Sequence, residues 1–244
     1  MNEELCLKLN PLIRGLRAYH RHEVKGLENI PKRKAAIVAH THSLATYDML
    51  LLMSAVFEAT SRFPRSLIDR LFYKVPGVGS LMEALGSVCG DQENARSLLS
   101  NGELLFLAPG GMQESLRPRE RKYKIYWQKR KGFARLAIET GSPVILAACP
   151  DADNIYDVYD NKITRMMYQK LKIPFFFARG LGPTALPKPV KLVHVLSEPI
   201  YPPLAPHPGT TEKLVDDFHQ RLTREMEKLI RRALSYSKEY ALIQ

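Results

Sequence analysis

Three short, almost wholly apolar segments constrain the fold of this chain most strongly. They are AAIVA at residues 35–39, ELLFLA at 103–108 and SPVILAAC at 142–149, and each has the length of a strand. Strands that are apolar on both sides are typically buried in a sheet that is covered on both faces. Helical periodicities separate them, so the sequence predicts an α/β domain with a mixed, mostly parallel central sheet flanked by helices.

Other elements follow from weaker patterns. We predict further strands at residues 22–25, 86–89 and 190–196, and helices at 45–58, 94–99, 128–139 and 211–234. The last helix is the most periodic, and Thr210 is its predicted N-cap. The face it is predicted to bury consists of Leu214, Phe218, Leu222, Met226, Leu229 and Ile230.

The spacing of apolar residues in the N-terminal segment, residues 1–22, predicts an amphipathic helix that contains Pro11. Such a helix either faces a membrane or packs on its own domain. Residues 23–244 are expected to form a single α/β domain, because the sequence shows no repeat and no linker-like composition.

The net charge of the chain indicates which kinds of partner it attracts. Lys and Arg total 36 against 25 Asp and Glu, a net charge of +11, which favours phosphorylated ligands, anionic lipid surfaces or nucleic acid. No nucleic-acid-binding signature accompanies that charge, so no nucleic-acid partner is expected. The three scattered cysteines indicate a reducing compartment. With no signal-peptide pattern and no apolar run of spanning length, we predict a cytoplasmic location peripheral to an anionic membrane.

A polar block, AHTHSLATYD at residues 39–48, follows the first buried strand. His42 and Asp48 are six positions apart, so they can meet only if a turn precedes the helix, with Ser43 or Thr46 capping its start. Asp48 would then hold one ring N–H of His42 and leave the other nitrogen free to accept a proton. The alternative is a structural histidine that only caps or hydrogen-bonds.

The pair His40 and His42 also has the H-x-H spacing of a zinc site that is completed by a carboxylate. No third ligand has matching spacing, so no metal is predicted. The remaining histidines are scattered and suggest no function: His20, His22, His194, His207 and His219.

Paired glycines close the second buried strand, in LFLAPGGMQE at residues 105–114. Gly110 and Gly111 let the backbone approach a ligand, and exposed N–H groups there would suit an oxyanion, although a plain tight turn is equally consistent. The basic runs at 117–124 and 129–131 either bind donor phosphates or anionic lipid, or are solvated. Residues 174–187 either contact acyl chains or membrane, or form an ordinary buried strand and loop.

Six segments in order resemble the glycerolipid (lysophospholipid) acyltransferase superfamily, from about residue 23 to residue 230. They are EVKGLENIP, HSLATYD, KVPGVGSLMEALGSVCGDQENA, LLFLAPGGMQE, KRKGFARLAIETGSPVILAA and VLSEPI. The resemblance implies a glycerol-3-phosphate acyltransferase-like fold, with His42 as general base and Asp48 as its partner. It implies an O-acyltransferase that moves a fatty acyl group from acyl-CoA or acyl-carrier protein to a glycerolipid or lipid-alcohol hydroxyl, with no metal or other cofactor.

Two departures from the commoner members of the superfamily indicate which of its branches the chain resembles. Five residues, not four, separate the histidine from the aspartate, and GGMQ at residues 110–113 replaces an acidic–glycine–threonine–arginine run. Both features resemble the branch of monoacylglycerol and diacylglycerol acyltransferase-like proteins. Arginine is the usual bidentate partner of a phosphate, and Gln113 lacks its charge, so a neutral acceptor is favoured. Phosphorylated acceptors stay open, because Arg117, Arg119 or Lys122 could supply the charge.

The substrate-binding residues implied by the resemblance are Gly110, Gly111, Gln113, Glu114 and Arg117, with Glu114 orienting the acceptor. Two rival functions are compatible with the sequence. One is a lipid hydrolase or thioesterase that uses the same dyad to activate water. The other is a non-enzymatic lipid- or nucleic-acid-binding module that uses the basic surface.

Overall fold

The computed structural model describes residues 1–115, 117, 121–158, 178–182, 184–203 and 211–237. The strands in these ranges are β1 (Glu23–Lys25), β2 (Ala36–His40), β3 (Arg65–Ile68), β4 (Ser87–Cys89), β5 (Leu104–Leu107), β6 (Val144–Ala148), β7 (Asp157–Val158), β8 (Ala178–Arg179) and β9 (Val193–Leu196). Seven of them form one sheet in the order β1-β9-β6-β2-β5-β3-β4, and β7 pairs with β8 separately. Neighbouring strands of the large sheet run parallel except β6 and β9.

The α-helices are α1 (Glu3–Tyr19), α2 (Tyr47–Thr60), α3 (Val78–Ala84), α4 (Gln92–Ser100), α5 (Gly111–Ser115), α6 (Gly132–Thr140) and α7 (Glu212–Leu234). The predicted fold class, a mostly parallel sheet flanked by helices, is confirmed. Among the described helices, none is both long enough and apolar enough to cross a bilayer.

Alternate side chains of the central strands enter two apolar cores. On one face, Ile37, Leu105 and Leu146 pack with side chains of α4, α6 and α7. On the other face, Val38 and Phe106 pack with side chains of α2. Because both faces are covered, the central strands need apolar residues at almost every position, as the sequence pattern indicated.

The N-terminal helix turns its apolar side towards the domain. Ile13 and Leu16 pack against a small core cluster that contains Leu51 and Cys149. Arg17 is ion-paired with Glu58 on α2 at 2.6 Å. Leu7 and Leu12 are exposed. The division of the chain at residue 22 stays a prediction.

Several details of the predicted elements need correction. β3, β7, α3 and α5 were not predicted; RSLI contains too short an apolar run, and α3 buries only Gly79. The helix predicted at residues 128–139 begins later, at Gly132. The cap of α7 is Thr211, whose hydroxyl accepts the Leu214 N–H at 3.3 Å. The predicted cap, Thr210, is wrong by one position and lies outside the described residues, as do Arg119 and parts of the segment 174–187.

Candidate active site

Four chain segments meet at one edge of the sheet. β2, β5 and β6 are parallel neighbours, so the residues that follow them emerge on the same side. β9 runs antiparallel to β6, so its first residues, including His194, lie at that edge too. Ligands of open α/β sheets bind where strands end in this way. The predicted polar block and the glycine pair therefore lie side by side.

The chain turns between β2 and α2, as the spacing of His42 and Asp48 required. A single 3₁₀ turn covers Leu44–Thr46, and α2 begins at Tyr47. Thr46 takes the N-cap position in a left-handed conformation (φ 50°) without a side-chain capping bond. Ser43 does not cap the helix either, because its hydroxyl donates to Asp48 Oδ1. The turn brings Asp48 back towards the end of β2.

The ring of His42 is held in one tautomer. Its Nδ1 lies 2.8 Å from the carbonyl oxygen of Ser43, and a carbonyl oxygen can only accept, so Nδ1 carries the proton. Burial lowers the pKa of His42 to about 4, against the opposing effect of the bond to Ser43, so the ring is neutral near pH 7. In the part of the chain that the structure describes, Nε2 has no hydrogen-bonding partner. Nε2 is therefore the ring atom whose lone pair can accept a proton.

Asp48 does not contact this ring in the way that the sequence suggested. The expected bond from the His42 N–H to the carboxylate is replaced by the bond to the Ser43 carbonyl. Ser43 links the two residues instead, since its carbonyl oxygen holds the ring and its hydroxyl donates to the carboxylate. A negative charge at Asp48 therefore stabilises a protonated His42 through space and through Ser43.

The backbone of His42 is fixed on both sides by buried charged groups. Its N–H donates to Glu114 Oε1 at 2.9 Å, and its carbonyl oxygen accepts from Arg117 Nη2 at 2.9 Å. Glu114 is fully buried and also accepts the Tyr126 N–H at 3.1 Å. Arg117 is buried too and pairs with Asp153 at 2.9 Å. Glu114 and Arg117 thus position the histidine through its backbone N–H and carbonyl groups and leave its ring free.

The glycine pair allows Glu114 to reach His42. A Cβ on Gly110 would lie 1.7 Å from Glu114 Oε2, so no other residue fits while Glu114 keeps this position. Gly111 has φ +53°, and its N–H donates to the Ala108 carbonyl oxygen at 3.1 Å. Of the two glycines, Gly110 is therefore the one whose N–H could bind an oxyanion. The side chain of Gln113 lies outside what the structure describes.

Two further histidines converge on Asp48: His40, which the sequence marked only as a candidate metal ligand, and His194, for which it suggested no function. Its Oδ2 lies 3.0 Å from His40 Nε2 and 3.4 Å from His194 Nε2, and all three side chains are fully buried. Burial opposes the ionisation of Asp48, but these two rings outweigh it and hold the pKa of Asp48 well below its ordinary value. Because His40 is wholly enclosed, His42, which is only partly buried, is the histidine that a substrate can reach.

A family model of acyltransferases matches residues 21–149, more than half of the chain. The chain belongs to the acyltransferase family. The expected membership, drawn from the six segments, is confirmed, and the match contains His42, Asp48 and Glu114.

Curated relatives of this chain carry the name "DGAT1/2-independent enzyme synthesizing storage lipids". The Bos taurus protein is 31% identical over 212 residues, 84% of this chain and 61% of the relative. The Gallus gallus protein is 33% identical over 185 residues, 75% of this chain and 53% of the relative. The chain therefore spans between half and two thirds of the length of these relatives.

The fold of the chain matches that of a crystal structure. The 1-acyl-sn-glycerophosphate (LPA) acyltransferase PlsC from Thermotoga maritima aligns with a TM-score of 0.56 and 21% identity, over 93% of this chain and 82% of that one. At this identity the match supports the fold alone.

The rule that ligands bind where strands end could have located one further residue of this candidate site. Asp153 follows β6, the third parallel strand at this edge, and binds Arg117. His194 could not be located in this way, since it lies 146 positions from Asp48 in sequence. It also lies near the start of β9, which runs antiparallel to β6, and not after the end of a strand. Only the fold brings it to the site.

Proposed function

We propose that the chain transfers a fatty acyl group from a thioester, acyl-CoA or acyl-carrier protein, to the hydroxyl of a glycerolipid or related lipid alcohol. One observation carries the proposal: His42 is backbone-clamped by Glu114 and Arg117, and its tautomer leaves Nε2 unpaired. Family membership and the name of the mammalian relatives support the substrate class.

The proposed reaction needs no covalent enzyme intermediate. His42 Nε2 removes the proton of the acceptor hydroxyl as its oxygen attacks the thioester carbonyl carbon. The tetrahedral oxyanion then collapses, the C–S bond breaks, and the thiolate takes the proton from the imidazolium. Asp48 stabilises that imidazolium, and the Gly110 N–H is the candidate donor to the oxyanion.

A neutral acceptor agrees best with the charges around His42. A phosphate on the acceptor would need a free cation beside the base. Of the three basic residues that could supply it, Arg117 instead binds the His42 carbonyl oxygen, Asp153 and the Lys124 carbonyl oxygen, Lys122 binds Asn154, and Arg119 lies outside the described residues. We therefore place a mono- or diacylglycerol, or a long-chain alcohol, ahead of lysophosphatidate. The exposed Arg121, Lys124 and Lys129 are left for the donor phosphates.

An acceptor panel tests this proposal. Purified protein is given labelled oleoyl-CoA with monoacylglycerol, diacylglycerol, hexadecanol or lysophosphatidate, and products are separated by chromatography. We expect label in the product of at least one neutral acceptor, at a rate above that with lysophosphatidate. Acylation of lysophosphatidate alone would contradict the neutral-acceptor assignment, and free fatty acid as the sole product would contradict transfer.

We also propose that the protein binds the surface of anionic membranes through an apolar patch made of Phe72, Tyr73, Val75 and Leu81. All four side chains are exposed, which is unusual for so many large apolar groups within ten residues. Arg70 precedes the patch in sequence and Lys74 lies within it, and the whole chain carries a net charge of +11. Such a combination favours a lipid surface with negative headgroups.

Vesicle sedimentation tests the patch. We expect the protein to pellet with vesicles rich in phosphatidylserine at low salt and less so as salt rises. The double substitution Phe72→Ser and Val75→Ser should reduce the pelleted fraction several-fold, whereas Leu186→Ser, at a residue 61% exposed elsewhere, should not. A wild-type protein that stays in the supernatant at low salt would rule the patch out.

A further inference from the structure

Arg130 contacts the glycine pair, yet the proposed acyl transfer gives it no task so far. Its Nη1 donates to the carbonyl oxygen of Gly110 and, at 3.4 Å, to the carbonyl oxygen of Pro109. Within the described residues, no carboxylate forms an ion pair with the Arg130 guanidinium. The described contacts of this cation are therefore peptide groups of the loop after β5.

The backbone of Arg130 is fixed by a buried neighbour. Trp127, three positions earlier, is buried, and its ring meets the edge of Phe133 with the ring centroids 5.0 Å apart. The Arg130 N–H donates to the Trp127 carbonyl oxygen at 2.7 Å, and α6 begins two residues later, at Gly132. Arg130 thus extends from a fixed turn, and only its side chain has to be ordered to reach the loop.

Each glycine of the pair makes room for one charged side chain. Glu114 fills the space that a Cβ on Gly110 would need, and a Cβ on Gly111 would lie 2.0 Å from Arg130 Nη1. Gly111 also has φ +53°, which disfavours larger residues. The loop is therefore held both by Glu114, which binds the His42 N–H, and by Arg130.

The contact between Arg130 and Pro109 sets the direction of the next N–H. In a planar trans peptide group the C=O and N–H bonds point in opposite directions. Because Arg130 binds the Pro109 carbonyl oxygen, the Gly110 N–H of the same peptide group is directed away from Arg130. Gly110 is buried, and its N–H has no acceptor among the residues that the structure describes. A buried N–H without an acceptor is rare, so this one calls for a partner.

We propose that Arg130 is a positioning residue of acyl transfer: by binding the Pro109 and Gly110 carbonyl oxygens, it holds the Gly110 N–H in the direction of the oxyanion. The role rests on the proposed function, because that oxyanion forms on the transferred acyl group. The guanidinium also polarises the Pro109–Gly110 peptide group, which makes its N–H a stronger donor. Arg130 does not touch the reacting atoms, since it lies on the opposite side of the peptide group. A donor that is fixed in advance needs no reorganisation when the charge develops.

Two thioester donors separate this role from the binding of donor phosphates. Oleoyl-CoA carries phosphates, whereas S-oleoyl-N-acetylcysteamine carries none. With the best acceptor of the panel, Arg130→Ala should lower kcat by about 10–100-fold with both donors, because removal of an oxyanion donor itself costs about 10²–10³-fold. KM for each thioester should stay unchanged. Arg130→Lys keeps the charge and can donate to one carbonyl oxygen, so it should recover part of kcat.

The matched control is Arg96→Ala, which removes an exposed arginine of α4 that is paired with Glu139 and should keep the wild-type kcat. Arg130 is also exposed, so the melting temperature of Arg130→Ala should stay close to that of the wild-type chain.

Three outcomes would overturn the positioning role. One is a raised KM for oleoyl-CoA alone with an intact kcat, which would show that Arg130 binds donor phosphate. Another is a wild-type kcat with both donors. The third is an equal loss in the alanine and lysine variants together with a lowered melting temperature, which would show a structural contact only. A wild-type chain without turnover on either donor would contradict acyl transfer itself, whereas these three outcomes contradict only the role of Arg130.

Discussion

Replacement of His42 by alanine is expected to lower kcat for acyl transfer by about 10²–10⁴-fold, the usual contribution of a general base. The melting temperature should change little, because among the residues that the structure describes the side chain makes one local hydrogen bond, to the Ser43 carbonyl oxygen. Steady-state kinetics with a labelled thioester, alongside thermal unfolding, measures both effects.

His42→Gln separates catalysis from a structural role. Its side-chain amide can still donate to the Ser43 carbonyl oxygen, but it cannot accept a proton. We therefore expect the same loss of kcat as in the alanine variant. A glutamine variant with near wild-type turnover would mean that the histidine only holds the turn.

Replacement of Glu114 by alanine should lower the free energy of unfolding by about 2–6 kcal/mol, because it leaves two N–H donors without an acceptor at a cost of about 1–3 kcal/mol each. The donors are the N–H groups of His42 and Tyr126, whereas Arg117 loses only the more distant of its two carboxylates, at 3.7 Å, and keeps Asp153 at 2.9 Å. Turnover should fall as well, because the His42 peptide loses one of its two clamps. Chemical denaturation and kinetics of the same preparation test the two claims together.

Two controls isolate the buried position of Glu114. Glu114→Gln keeps one acceptor oxygen but turns an NH₂ towards one of the two N–H groups, so we expect a smaller loss of about 1–3 kcal/mol. Glu139→Ala removes an ion pair to Arg96, which is half exposed, and should cost about 0–1 kcal/mol. Equal losses for Glu114→Ala and Glu139→Ala would contradict the proposed clamp.

The sequence predicted the layers of this fold because its central strands are buried on both faces. Segments such as AAIVA and ELLFLA leave few alternatives, and β2 and β5 lie within one or two residues of those runs. β3 could not be recognised in the same way, since it lies near the edge of the sheet and begins with Arg65. Its strand character depends on pairing with β4 and β5, which no local pattern encodes.

The sequence predicted those features of the site that depend on residues close together in the chain. It could not predict contacts that depend on how distant segments pack. The spacing of His42 and Asp48 required a turn before the helix, and the turn is present. The sequence could not reveal that Ser43 stands between them, or that Arg117 points inward to the His42 carbonyl oxygen. A basic run predicts charge, but packing decides which of its members reach a ligand.

The partition of the acyl group between acceptor and water tests the central claim most directly. Labelled oleoyl-CoA is supplied with increasing monoacylglycerol, and acylated glyceride and free fatty acid are measured together, for the wild-type chain and for His42→Ala. We predict that label shifts into the glyceride as acceptor increases and that the variant loses this product. Free fatty acid that stays the only product at every acceptor concentration, or equal glyceride from both proteins, would contradict the account.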